Sequence, residues 1–163
     1  MAVLPIVLWP DPRLSDVCAP VGAADDLAGL IADMFETLYA AKGRGLAAPQ
    51  VGVMKRLFVV DVTWKEGTPD PRVFINPTVV STSHTTATMD EQCLSIPGLP
   101  MAVDRPERAE LAWETASRAP VSVRFSDVEA RILLHELDHL NGRVILDHQP
   151  AGRRQALESQ YAS

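Results

Sequence analysis

The sequence predicts an α+β fold, with mostly antiparallel sheets packed around a helix in the C-terminal half and a second helix near the N-terminus. Three observations lead there. Strong 3.6-residue apolar periodicity occurs early, over 25–42, and late, over 126–140. Between them lie short β-branched or aromatic runs separated by Pro, Gly or Ser/Thr. Finally, 163 residues with 47% hydrophobic and 22% charged side chains suit one core, so residues 1–163 are expected to form one domain.

Taken in order, Met1 to Pro10 is apolar but has no basic flank, and Pro5 and Pro10 favour an extended segment over a signal peptide. From Asp25 to Lys42, Leu27, Leu30, Ile31, Met34, Phe35 and Leu38 mark one helix face. Asp25 and Asp26 supply negative charge to its first turn, and Gly43 ends it. Strands are expected at Arg56–Val60, Val73–Ile75, Met101–Val103, Ala109–Trp113 and Val121–Phe125. The late helix starts at Ser126, where Ser126 and Glu129 match a capping box, and runs to about Leu140 before Asn141-Gly142. Gly152 to Tyr161 is a weaker third helix.

Charge and cysteine content narrow the function. A net charge of −6 disfavours broad nucleic-acid binding through phosphate neutralisation. No apolar stretch approaches the ~20 residues of a membrane span, so a cytoplasmic location is expected. Cys18 and Cys93 are too few for a secreted disulfide scaffold, and a cysteine in a chain with histidines is more readily a ligand or nucleophile.

The strongest chemical signal is His135-Glu-Leu-Asp-His139. Residues four apart share a helix face, so both imidazoles can reach one metal ion, while Glu136 is turned aside to hold a water. Only four histidines occur in the chain, which makes the pattern rare by chance. A catalytic site of this kind needs a third protein ligand and an open position. Two candidates exist: Glu158, 19 positions downstream, and Cys93, in the strand-then-turn context Asp90 to Pro97. A third segment, Gly43-Arg-Gly-Leu-Ala-Ala-Pro-Gln50, offers glycines for close approach of a ligand and an amide, Gln50, suited to a developing oxyanion.

Gly43 to Gln50, Glu91-Gln-Cys-Leu-Ser95 and Leu134-His-Glu-Leu-Asp-His139 together resemble, in order, the three motifs of the peptide deformylase family. Leu8 to Leu14 and Asn76-Pro77 are also similar, and the likeness extends to about Asp147. The resemblance implies that Cys93, His135 and His139 hold one divalent metal, Fe²⁺ in the cell, with Zn²⁺, Ni²⁺ or Co²⁺ able to substitute. It implies a hydrolase that takes the formyl group from N-formyl-methionyl nascent peptides, with Glu136 as general acid–base and Gln50 and the Leu94 backbone N–H meeting the oxyanion. It admits a transient ribosome contact. The substrate-binding set it implies is Gly43, Arg44, Gly45, Met89, Gln92, Val128, Arg131 and Ile132, with the peptide pairing as a strand beside Gly45.

The chain departs from the family's pattern at four places: Gln92 for a Gly, Leu134 for a Gln, Arg44 for an apolar residue, and Arg131 on the metal face of the helix. An unpaired cation beside an apolar methionine side chain costs several kcal/mol, about 1–3 or more, so each arginine must pair with an acid, reach solvent or meet a polar substrate. The expectation is weaker use of formyl-Met peptides, partly restored by Arg44→Ile. Asp138 and Glu91 are candidates for orienting the histidines, with Arg105 paired to one of them. Two other functions compete: a zinc endoprotease using Glu158, and a peptide-binding relative with weak activity or a different N-acyl substrate.

Overall fold

The computed structural model describes residues 2–163. Three helices, α1 (Ala28–Ala40), α2 (Asp127–Leu140) and α3 (Ala151–Ala162), accompany seven strands: β1 (Gly45–Ala47), β2 (Leu57–Val60), β3 (Arg72–Thr82), β4 (Thr86–Cys93), β5 (Ile96–Pro106), β6 (Arg108–Glu114) and β7 (Pro120–Ser126). The sheets have order β1-β2-β3-β6-β7 and β4-β5, and every pairing is antiparallel. The α+β expectation holds.

The five-stranded sheet is held to α2 by aromatic packing. Phe74 on β3 stacks on Phe58 with ring centroids 4.7 Å apart and lies 4.4 Å from Trp113, with Phe125 completing the group. Ala130, Leu133, Leu134 and Leu137 of α2 close that cluster. A second cluster, with Ile96, Met101 and Val103 of β5, Leu146 of the short 3-10 turn Ile145–His148 and Leu157 of α3, also includes Cys93. The third cluster seats α1 through Met34 and Leu38 against Leu46, Leu57 and Ile75. Helix α2 therefore lies between the large sheet and the β4–β5 hairpin, which is what brings distant motifs together.

Several local expectations need correction. Helix α1 starts at Ala28 because Asp25 is committed elsewhere, accepting from the Gly22 N–H and from Lys55. It ends through Lys42, at φ 58°, and not through Gly43; the Gly43 N–H donates back to the Leu38 carbonyl. The Ser126 capping box does not form. The chain leaves β7 directly into α2, and the Asp127 N–H donates to the Glu107 carbonyl in the connection between β5 and β6, while Glu129 lies 3.9 Å from Arg72. Strand β1 falls where none was expected, β4 begins at Thr86, ahead of the expected strand-then-turn context Asp90 to Pro97, and β5 is far longer than Met101–Val103. The long β5 contains Pro97 and Pro100, which fall between the paired positions Ile96 and Met101, where the ladder is interrupted. Both cysteines are free thiols.

Candidate active site

Helix periodicity sets His135 and His139 one turn apart, with ring centroids separated by 5.3 Å. Strand β4 delivers Cys93 at its end, just before the two-residue turn Leu94-Ser95 that leads into β5. Pleating buries Glu91 and Cys93 and leaves Gln92 exposed between them. Cys93 Sγ stands 3.5 Å from His139 Nε2. One ligand atom from each of Cys93, His135 and His139 lies within 4.8 Å of the others.

This geometry fits a metal ion. Two donors on one tetrahedral ion, with usual bond lengths to S and N, stand roughly 3.6 Å apart. His135 Nδ1–H donates to Glu91 Oε1 at 2.8 Å, so Nε2 is the nitrogen left for coordination. Burial opposes ionisation of the Cys93 thiol, but the imidazoles of His139 and His135 outweigh it and hold the thiol well below its ordinary value. Burial likewise opposes a charged His135, but Cys93 and Glu91 raise it well above the usual imidazole value. A divalent cation takes up the thiolate together with neutral imidazoles, so its binding displaces the proton that His135 otherwise holds.

Glu136 sits beside these donors without belonging to them. Its carboxyl is raised, first by burial, against the lowering effect of His135 and His139. Oε1 has no hydrogen-bond partner among the described residues, so it is free to exchange a proton. Gln50 is fixed at both ends of its amide: Oε1 accepts from the Ala47 N–H at 2.9 Å, and Nε2 donates to Ser95 Oγ at 3.0 Å while lying 3.7 Å from Cys93 Sγ. Ser95, which the sequence reasoning did not single out, thus helps aim the Gln50 N–H toward the donors. Gly45 is required by space, because a Cβ there would stand 2.6 Å from Glu136 Oε2.

A cleft of about 570 Å³ opens over the site and is lined by all eight expected substrate-binding residues. Met89 and Val128 are exposed apolar groups on its walls. Lys42 and Lys65, to which no motif of the sequence points, also line the cleft. Strand β1 forms one edge of the large sheet, with β2 as its neighbour.

Of the three outcomes open to the two arginines, both take the first: each pairs with an acid. Arg44 meets Glu66 at 2.9 Å at the rim. Arg131 is neither a solvated surface group nor a free pocket charge: it is buried and donates to Glu91 Oε2 at 2.6 Å. Glu91 does orient His135, as expected, and Arg105 grips it through Nε at 2.6 Å and Nη2 at 3.0 Å. Burial works against ionisation of Glu91, yet the hydrogen bonds with His135 and Arg105 outweigh it and bring the carboxyl down to about 2. Asp138 does not orient a site histidine; its Oδ2 engages Arg105 at 2.9 Å and His148 at 2.7 Å. Glu158 is likewise removed from the donors, since it lies on α3 and accepts from Arg154 at 2.7 Å. That removes the ligand set of the protease reading.

A helix carrying two histidines and a glutamate, with a thiolate from a neighbouring hairpin and an open cleft above, defines a metal-dependent hydrolase site. The polypeptide deformylase family model matches residues 3–155. A peptide deformylase of Cellvibrio japonicus is 43% identical over 161 residues, covering 98% of this chain and 94% of that one. One of Brucella suis biovar 1 is 43% identical over 150 residues, 91% of this chain and 85% of the relative. The crystal structure of the Ehrlichia chaffeensis peptide deformylase in complex with actinonin superposes with a TM-score of 0.91 at 38% identity, covering 98% and 96% of the two chains. The chain belongs to the peptide deformylase family, whose members are metal-dependent hydrolases.

Proposed function

We propose that this chain removes the formyl group from N-formyl-methionyl peptides, releasing formate and a free N-terminal amine. The observation that carries the reading is the convergence of Cys93, His135 and His139 within 4.8 Å beside a buried Glu136. Cys93 Sγ and the Nε2 atoms of the two histidines would hold one divalent ion, Fe²⁺ in the cell, with Zn²⁺, Ni²⁺ or Co²⁺ able to replace it. Such an ion supplies Lewis acidity and lowers the pKa of water toward ~7.

The rest follows from the chain's own groups. Glu136 accepts a proton from the attacking water and returns it to the departing amine nitrogen, so the C–N bond breaks without leaving an amide anion. Its raised carboxyl suits a group that must both take and give a proton. The Gln50 Nε2–H and the Leu94 backbone N–H meet the negative charge that develops on the formyl oxygen, and removing one such donor typically costs about 3 kcal/mol. The peptide pairs with the free edge of β1 at Gly45, which sets its formyl end over the donors. Met89, Val128 and Ile132 receive the methionine side chain.

Nascent formylated chains are the proposed partners, met in the cytoplasm with only transient contact to the ribosome. No helix of the described residues is long and apolar enough to cross a membrane. The test is formate release from a short formyl-Met peptide by the iron-loaded protein under exclusion of oxygen. Turnover is expected; a protein that binds one equivalent of metal and shows no turnover would leave the peptide-binding alternative standing.

A further inference from the structure

Arg131 occupies the helix face one turn before His135 and lines the cleft, yet its guanidinium is spent on acceptors of the protein itself. Nη1 donates to Glu91 Oε2 at 2.6 Å and to the Val103 carbonyl at 2.9 Å, and Nη2 donates to the Ala87 carbonyl at 2.6 Å. Three acceptors on two strands are gathered by one planar fork. Arg131 and His135 both leave α2, and both end on the same Glu91 carboxylate. The result is a closed ring of contacts: helix, Arg131, Glu91, His135 and back to the helix. That ring also ties α2, which carries both histidines, to the β4–β5 hairpin, which carries Cys93. Arg105 grips Glu91 from β5 and reaches α2 only further on, at Asp138.

We propose that Arg131 is a positioning residue for the metal site. It fixes Glu91 so that the His135 ring presents Nε2 to Cys93, and it holds the hairpin bearing Cys93 at the correct distance from α2. This inference rests on the reading of Cys93, His135 and His139 as ligands. It replaces the view of Arg131 as a determinant of substrate polarity.

The test uses Co²⁺ with the full chain and the variants Arg131→Leu and Arg131→Lys. Arg131→Leu leaves Glu91 bonded to Arg105 and His135, so no bare buried charge is created. Loss of a group that orients a ligand typically weakens metal affinity about tenfold to a hundredfold. Arg131→Leu should show that loss in competition with a chelator, with an altered visible ligand-field spectrum of bound Co²⁺ and a lower kcat at little-changed KM for a formyl-Met peptide. Arg131→Lys keeps a cation near Glu91 but cannot serve all three acceptors, so it should lie between Leu and the parent. Should Arg131→Leu fail to fold, a several-fold loss of affinity in Arg131→Lys carries the test. Parent-like affinity and spectrum in the folded variants, with or without a change in KM, overturns the inference and leaves Arg131 as part of the cleft wall alone. A parent chain that takes up no Co²⁺ overturns the ligand reading itself, and this inference with it.

Discussion

Glu136 combines three properties at one carboxyl: burial, an unpartnered oxygen and a raised proton affinity, beside donors to which it contributes no ligand atom. Glu136→Gln preserves shape and should keep both fold and stoichiometric metal while kcat falls about 10²–10⁴-fold. Metal content measured alongside kcat decides this, and activity within a few-fold of the parent would send the proton elsewhere. Arg44 calls for a different outcome from the one its position in the sequence suggests. Its guanidinium reaches Glu66 at the rim with the side chain 39% exposed, and such exposed pairs contribute only about 0–1 kcal/mol. Arg44→Ile should therefore leave kcat/KM on formyl-Met peptides within about fivefold. A tenfold gain would mean that the cation leans over the methionine side chain after all. The histidine pair and Glu136 were legible because helix spacing is local. The fate of Arg131 was not, because its partners Ala87, Glu91 and Val103 come from strands 28 to 44 positions away.

Strand β1 sets the limit on how closely substrate and acid–base can approach. It is three residues long, Gly-Leu-Ala, with no β-branched side chain, so propensity gives no sign of it. Its pairing comes from β2, where Gly45 faces Val60 and Ala47 faces Phe58. Gly45→Ala would place a methyl 2.6 Å from Glu136 Oε2, and the carboxylate must shift to admit it. The expected result is a fall in kcat of about 10²-fold or more from misplacement of the acid–base, with metal retained. Unchanged turnover would show that Glu136 has room to spare. Only the end of β4 was anticipated, through the strand-then-turn context of Cys93; Thr86 to Met89 does alternate polar and apolar, but Ala87 and Met89 are its only apolar residues before Cys93, too few to mark a strand. Its pairing with β5 is nevertheless the device that carries Cys93 and Glu91 to α2.

At the scale of the whole molecule, the aromatic cluster around Phe74 supports the helix that bears the histidines. Phe74 is fully buried, and its ring is close to those of Phe58, Trp113 and Phe125 from three other strands of the sheet. Phe74→Ala should cost about 3–5 kcal/mol in urea unfolding, the usual cost of emptying such a position. A loss below about 1 kcal/mol would mean that α2 does not depend on this cluster. The fold class was readable from the two periodic helices and the strand runs between them. Spacing alone left Glu158 open as a second candidate beside the favoured Cys93; the meeting of Cys93 with the histidines depends on α2 lying between the sheet and the hairpin. The measurement that bears most directly on the account is metal content by atomic spectroscopy, with formate release from a formyl-Met peptide, in Cys93→Ala and Glu158→Ala prepared alike. Cys93→Ala should lose both stoichiometric metal and turnover while Glu158→Ala keeps both. Metal retained without Cys93 and lost without Glu158 would contradict it.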